Sequence, residues 1–308
     1  MEGNKKWTSE DVPDLNGKIV LITGANSGLG FQATREIADK RATVVMGCRD
    51  TEKGGDAVKK IKETNPNAKL VLMRLDLAGL KSIRSFAGEF KKRYKRLDIL
   101  INNAGVMVPP YGTTEDGFEL QIGTNHFGHF ALTGLLLDVV LRTPKSRVVS
   151  VSSMAHRMGT INFDDINSKK KYSKWSAYGQ SKLANLFFIY ELERRFENAK
   201  ADAIAVAAHP GYANTNLQRT TGFFSAFNPI LAQPAGMGAL PVLYAATEEH
   251  VRGGEFFGPD GFLEMRGYPK KTSSNKISYD KAIAKRLWEL SEEVTGVKYF
   301  YNGQNFIL

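Results

Sequence analysis

Short apolar runs alternating with helix-length stretches constrain this chain more than any other feature. The runs fall at 18–23 (KIVLIT), 43–47 (TVVMG), 69–75 (KLVLMRL), 97–101 (LDILI), 147–151 (RVVSV) and 202–208 (DAIAVAA). Between them, helical patterns occupy about 28–40, 51–64, 79–95, 115–142 and 176–197, and a further strand is expected near GGEFFG at 253–258. Strands that are apolar on both faces and separated by helices belong to a parallel sheet covered on both sides. A chain of 308 residues is long enough to bury one large core. No Pro/Gly/Ser linker and no solenoid-length repeat divides it. The expectation is a single α/β domain with about seven parallel strands and helices on both faces.

The first strand runs directly into TGANSGLG at 23–30, three glycines in eight residues. Glycine is costly wherever a chain must be ordered, so bare backbone has a task there. At the C-terminal end of a strand and the start of a helix, unpaired N–H groups and the positive end of the helix dipole suit a pyrophosphate. Gly24 allows the tight turn, Gly28 lets a phosphate approach the backbone, and Gly30 lets the helix pack on the sheet. The spacing is GxxxGxG rather than GxGxxG, so strand-before and helix-after context carries the dinucleotide reading. The fold class is therefore a Rossmann-type doubly wound domain. The second strand bears on which dinucleotide. About 20 residues beyond the glycines, an acidic residue holds the ribose hydroxyl of NAD, whereas an arginine accommodates the 2′-phosphate of NADP. That distance reaches Cys48, Arg49 and Asp50. Cys48 cannot accept like a carboxylate, and Asp50 stands where a helix N-cap is expected. Arg49 is left as a phosphate ligand, which favours NADP(H) over NAD(H). Asp76-Leu77 and Asn102-Asn103-Ala104-Gly105 end the third and fourth strands on the same side of the sheet.

Composition excludes several classes. The lone cysteine, Cys48, rules out an internal disulfide framework and suits a reducing compartment such as the cytoplasm; it reads as a small buried hydrophobe. Arg and Lys exceed Asp and Glu by 42 to 32, a net charge of +10, but the basic clusters are dispersed and lack interleaved aromatics, which disfavours nucleic acid. The N-terminal residues 1–16 form a polar extension with no signal or anchor pattern. No apolar run reaches the roughly 18–20 residues of a membrane span. His126, His129 and His156 have no Cys or carboxylate at ligand spacing, so no metal site is expected.

The chemistry-bearing residues lie further along. Tyr178 and Lys182 are an i, i+4 pair on one helix face. A lysine ammonium beside a phenol would lower the phenol from its ordinary ~10. Such a tyrosine can pass a proton to or from a substrate oxygen. Ser152 and Ser153 end the fifth strand, where a hydroxyl can hold a carbonyl or alcohol oxygen. Asn125 sits inside a helix in TNHFGHF, an awkward place for an amide that prefers caps and turns.

Together, TGxxxGxG at 23–30, NNAG at 102–105, Asn125, the serine after the fifth strand, YxxxK at 178–182, and HPG at 209–211 with Thr215 resemble the short-chain dehydrogenase/reductase family over about 15–265. CRD at 48–50, SSMAH at 152–156, INFDDI at 161–166 and AYGQSKLANLFF at 177–188 are similar to its retinol-dehydrogenase-like branch, and to WW-domain-containing oxidoreductases and protochlorophyllide reductases. The resemblance implies a catalytic domain at 17–265 and a C-terminal extension at 266–308 with a helix at about 279–293. It implies Asn125, Ser153, Tyr178 and Lys182 as the catalytic set, with Tyr178 the acid/base and Lys182 also holding the nicotinamide ribose. Gly24, Asn26, Ser27, Gly28, Leu29, Gly30, Arg49, Asp76, Leu77, Asn103, Ala104, Gly105, Tyr178, Lys182, Pro210, Gly211 and Thr215 would line the cofactor. The substrate would be a carbonyl or alcohol on a bulky apolar molecule, under an apolar lid at about 216–235 that contains Phe223, Phe224 and Phe227. A membrane-surface contact of that stretch is the lesser expectation.

The chain departs from simpler members in the 25-residue interval from Ser153 to Tyr178, which carries a polar insertion at about 157–175. In relatives such an insertion can cover the helices used for tetramerisation, so a monomer or dimer is expected. Two other functions share these motifs. A nucleotide-sugar epimerase would need a subdomain after 215, where about 90 residues leave little room. A cofactor-binding sensor would normally lack part of the catalytic set.

Overall fold

The computed structural model describes residues 6–212, 233–301 and 304–305, with Phe300, Tyr301, Gln304 and Asn305 described by backbone alone. Thr215 and the core of the expected lid, 213–232, lie outside the described residues.

The apolar runs form β1 (Ile19–Thr23), β2 (Thr43–Cys48), β3 (Lys69–Arg74), β4 (Ile99–Asn102), β5 (Ser146–Val151) and β6 (Ala203–Ala208). They pair in the order β3-β2-β1-β4-β5-β6, all parallel. The register aligns Leu21 with Val45 and Leu100, so the strands' apolar residues lie side by side across the sheet. Side chains alternate between two cores. Leu21, Leu100 and Val148 face one layer, made by α3 (Leu80–Arg93), α5 (Gly128–Arg142) and α6 (Lys174–Asn198). Val20, Ile22, Ile99 and Ile101 face the other, made by α1 (Gly28–Asp39), α2 (Thr51–Thr64) and α7 (Ala235–Thr247). The chain reverses its direction of travel across the sheet between β1 and β4, which opens a crevice beyond their C-terminal ends.

Two expectations shift. The strand expected at 253–258 is β7 (Phe256–Pro259), and an eighth strand, β8 (Pro269–Thr272), pairs with it antiparallel. The sheet has eight strands rather than about seven because PKKT carries no apolar run to mark it. Its Pro and two exposed Lys suit an edge, where they discourage further pairing. The helix expected from 115 begins only at α4 (Leu120–Ile122). A turn at Thr114–Gly117 and a bridge between Thr113 and Glu119 come first, and the buried Glu119 carboxylate accepts from the N–H groups of Gln121 and Ile122 as the cap. The C-terminal helix is α8 (Lys281–Thr295), started by the Asp280 cap and ended by left-handed Gly296.

α8 seals the outer face of α5 and α6. Trp288 stacks on Phe188 and meets Phe130 edge-on, with ring centres 5.9 and 5.1 Å apart. The Arg195 guanidinium lies 4.1 Å from the Trp288 ring centre, and Tyr299 donates to the Phe130 carbonyl at 2.7 Å.

Candidate active site

The crevice is a cavity of about 800 Å³ that runs from the glycine turn to α6. Its cofactor end is shaped by missing side chains. Gly24 and Gly28 adopt φ +65° and +54°, which L side chains rarely adopt. A Cβ on Gly30 would lie 2.3 Å from the Gly24 carbonyl oxygen and 2.6 Å from Asn103 Nδ2. Ser27 occupies the N-cap of α1 yet makes no side-chain cap bond, and the first turn holds no acidic residue. The helix therefore presents N–H groups and a positive dipole end without an internal partner, which fits a dinucleotide pyrophosphate. Gly30→Ala should weaken NADPH binding about tenfold or more, since overpacking against backbone costs roughly 1–3 kcal/mol. A fluorescence titration with unchanged affinity would refute that role.

Thr23 fastens the neighbouring loop to this turn. Its hydroxyl oxygen accepts from the N–H groups of Asn103 and Ala104, both at 2.9 Å, while Asn103 Nδ2 donates to the Thr23 carbonyl at 2.8 Å. Asp76, Leu77 and Gly105 complete this wall. Asp76 Oδ1 accepts from Ala78 N, which fixes the turn after β3.

At the end of β2, Cys48 is buried under the turn and accepts from the N–H groups of Ala25 and Asn26. Burial pushes its thiol up to about 11, so it is a packing group and not a nucleophile. Asp50 caps α2 by accepting from Glu52 and Lys53 N–H, as its position in the sequence predicts. Its carboxylate is also paired with Lys53 Nζ at 2.7 Å, and these bonds hold it below the usual carboxylate range. Arg49 is exposed at the rim and lines the cavity together with Lys53, a cation the sequence reading missed. The available signal was its unfavourable charge in the first turn of a helix.

The other end of the cavity is built on α6. Tyr178 is 7% exposed and hydrogen-bonded to Ser153. Lys182 lies one turn on, its Nζ 5.7 Å from the Tyr178 ring centre and 3.1 Å from the Val151 carbonyl oxygen, to which it donates. The two serines have separate tasks. Ser152 is buried and donates to the Lys182 carbonyl at 2.9 Å, whereas Ser153 accepts from Ala155 N and faces Tyr178.

One expectation about this pair is overturned. The phenol is not lowered by Lys182. Burial pushes Tyr178 up to about 12, opposed only by the Ser153 hydrogen bond. Burial also brings Lys182 down to about 8, so both groups in this dry site are pushed toward their neutral forms, although Lys182 still carries its charge at neutral pH.

Asn125 is in a π-helical turn, Gly123–Phe127, between α4 and α5. Such turns are rare and concentrate at functional sites. The turn aims the amide between the segment after β4 and α6: Oδ1 accepts from Val106 N at 2.8 Å, and Nδ2 donates to the Val106 carbonyl at 3.0 Å and to Ser181 Oγ at 2.9 Å. A Cβ on Gly105 would lie 3.0 Å from Asn125 Oδ1, close enough that the amide would have to give by a few tenths of an ångström. Pro210 and Gly211 line the cavity after β6. Met107, Met154, Met158 and Trp175 also line the cavity, and none of them stood out in the sequence. Trp175 meets the Tyr178 ring edge-on at 6.4 Å.

His126, His129 and His156 are buried and neutral. Burial pushes His126 down to about 3 and His129 and His156 to about 4, from an ordinary ~6.5. The unfolded chain therefore binds more protons than the folded one between those values. Stability present above pH ~6.5 should be lost as pH falls toward ~4, by up to about 1.4 kcal/mol per proton per pH unit. Near pH ~5 these three histidines should take up protons on unfolding, offset in part by the proton that the buried Glu193, pushed up to about 7, releases; a calorimetric midpoint unchanged from pH ~7 to ~5 would contradict this. Among the described residues no cluster suited to a metal ion exists, and no helix is long and apolar enough to cross a membrane.

A family model described as short chain dehydrogenase matches residues 18–222. Human retinol dehydrogenase 13 is 42% identical over 296 residues, covering 92% of this chain and 86% of that protein. Human retinol dehydrogenase 12 is 40% identical over 291 residues, covering 92% and 88%. A crystal structure of an uncharacterized protein from Mycobacterium paratuberculosis is 43% identical, superposes with a TM-score of 0.82, and covers 96% of this chain and 100% of that one. A short chain dehydrogenase from Shigella flexneri, crystallised with NADP, shares the fold at 24% identity and a TM-score of 0.64, covering 79% and 97%. The sheet order, the glycine turn that opens α1 and the family match over most of the catalytic motifs agree: the chain belongs to the short-chain dehydrogenase family of oxidoreductases and is related to the retinol dehydrogenases.

Proposed function

We propose that the chain is an NADP(H)-dependent oxidoreductase that moves a hydride between the nicotinamide and a carbonyl or alcohol carbon of a bulky apolar molecule. One observation carries the reading: Tyr178, bonded to Ser153, stands in the same cavity as the glycine turn, with Lys182 one helical turn away. The uncapped start of α1 and the close-packed Gly24 and Gly30 fit a dinucleotide, and Arg49 with Lys53 fits a 2′-phosphate. The NADP-bound Shigella relative is consistent with that choice.

When bound, the nicotinamide supplies or accepts the hydride. The residues do the rest. Ser153 donates a hydrogen bond that holds the substrate oxygen, and Tyr178 transfers the proton to or from that oxygen. Lys182 holds the ribose and places a positive charge beside the phenol. Asn125 fixes Val106 and Ser181, so its side chain is spent on positioning. A phenol pushed up to about 12 keeps its proton at neutral pH and is the acid that reduction of a carbonyl needs.

Met107, Met154, Met158 and Trp175 give the substrate end an apolar, adaptable lining suited to a retinoid-, steroid- or lipid-like aldehyde or ketone, or a xenobiotic carbonyl. The lone cysteine suits a reducing compartment such as the cytoplasm. Because α8 covers α5 and α6, a monomer or dimer is the assembly we propose. The test is a panel of apolar aldehydes and ketones, retinaldehyde included, run with NADPH and with NADH. Turnover with NADPH supports the reading. Tight NADPH binding without turnover across the panel would make the chain a sensor instead.

A further inference from the structure

We propose that His129 is a positioning residue that couples the cofactor floor to the catalytic helix. This rests on the oxidoreductase reading above, although its test includes measurements that need no turnover. His129 is 1% exposed and lies outside the catalytic set. Its Nδ1 is 2.9 Å from the Asn125 carbonyl oxygen, and its Nε2 is 2.9 Å from Thr23 Oγ1.

Donor and acceptor counting fixes every proton in this chain. A carbonyl only accepts, so Nδ1 carries the hydrogen. Burial, with the Lys182 ammonium nearby, keeps the ring neutral, so Nε2 is a bare acceptor. Thr23 Oγ1 already accepts from Asn103 N and Ala104 N, which occupy its two lone pairs. Its own hydrogen therefore goes to Nε2, and the alternative acceptor, the Ile101 carbonyl, is farther away at 3.4 Å. The bonds then run one way: Asn103 and Ala104 N–H to Thr23, Thr23 to His129, His129 to the Asn125 carbonyl. From Asn125 the side chain continues to Val106 and to Ser181, whose hydroxyl donates to the Tyr178 carbonyl at 2.8 Å.

No group in this run has a spare donor to lend elsewhere, so a shift at one end must be accommodated at the other. Thr23, Asn103 and Ala104 are the floor on which the dinucleotide rests, and Asn125 and Ser181 set the height of α6 at Tyr178. His129 is the side chain that joins the two halves. Seating the cofactor would thereby tighten the acid/base tyrosine's position.

Two conservative variants separate the two ends. An asparagine amide mimics Nδ1, so His129→Asn keeps the donor to Asn125 and loses Thr23. A glutamine amide mimics Nε2, so His129→Gln keeps Thr23 and loses the donor to Asn125. His129→Asn should chiefly weaken NADPH binding and His129→Gln should chiefly lower kcat, each about tenfold, and in both variants NADPH should no longer slow hydrogen exchange at the α6 amides around Tyr178. His129→Phe should lose both. A merely structural histidine would lower the melting temperature in all three while leaving kcat and NADPH affinity at wild-type values, and that result would overturn the proposal. So would the same pattern in the Asn and Gln variants.

Should the variants not fold, hydrogen exchange on the wild-type protein decides. NADPH should slow exchange at Val106 and at the α6 amides around Tyr178 as well as at the glycine turn, and protection confined to the turn would overturn the coupling. Absence of any NADPH protection or turnover in the wild type would instead remove the oxidoreductase reading beneath it.

Discussion

Tyr178→Phe should fold, bind NADPH as the wild type does, and reduce its carbonyl substrate about 10²–10⁴-fold more slowly. The substitution keeps the buried ring and its edge contact with Trp175 while removing the proton that the substrate oxygen would receive. Stability should hold or rise slightly, because the lost hydroxyl has one resolved side-chain partner, Ser153. The pH profile gives a second readout. With the phenol near 12 in the cofactor-free protein, alcohol oxidation should climb as pH rises through the alkaline range, while carbonyl reduction begins from the protonated form. A variant with near-full activity would show that another group carries the proton.

Arg49→Asp should lower kcat/KM for NADPH by about ten- to a hundredfold, from the loss of one charge-assisted phosphate contact of about 1.5–3 kcal/mol. NADH should then become the better cofactor, since a carboxylate at this place can accept from a ribose hydroxyl. Asp50 also lines the cavity, but its Oδ1 serves the α2 cap and its Oδ2 pairs with Lys53, which makes it a poorer acceptor for a ribose hydroxyl than a free carboxylate. Lys53→Ala should weaken NADPH less than Arg49→Asp does and leave NADH binding nearly unchanged. A wild-type protein that prefers NADH would contradict the role given to both cations.

Much of the fold was legible because its signals are local. The apolar runs had to be strands buried on both faces, and the glycine turn had to follow β1 because a Cβ at Gly30 would strike the Gly24 backbone. β8 was illegible because PKKT joins the sheet through its backbone alone, as an edge strand with little to bury. Glu119 hid the start of its helix by capping it with a buried carboxylate, an arrangement that composition does not reveal.

Residue types and spacing singled out Tyr178, Lys182, Ser153 and Asn125; the first three line one cavity and Asn125 is buried beside it, with electrostatics that differ from the expectation. The i, i+4 spacing promised a phenol lowered by an ammonium, but spacing carries no information on burial, and burial governs both groups. Ser152 and Ser153 could be told apart only in three dimensions, where one hydroxyl is spent on the Lys182 carbonyl. The methionines and Trp175 were missed because apolar residues near a cavity look like core until the cavity is seen.

The hydride itself can be followed from cofactor to product. Wild-type protein is incubated with NADPH bearing deuterium at C4, on the face that is transferred, together with retinaldehyde and the other apolar carbonyls of the panel, and the products are read by mass spectrometry. One deuterium on the carbinol carbon of the alcohol, formed by the wild type and strongly reduced in Tyr178→Phe, is the result expected of an oxidoreductase with Tyr178 as its acid. Alcohol that carries no label, or no alcohol from any carbonyl while NADPH binds tightly, would contradict it.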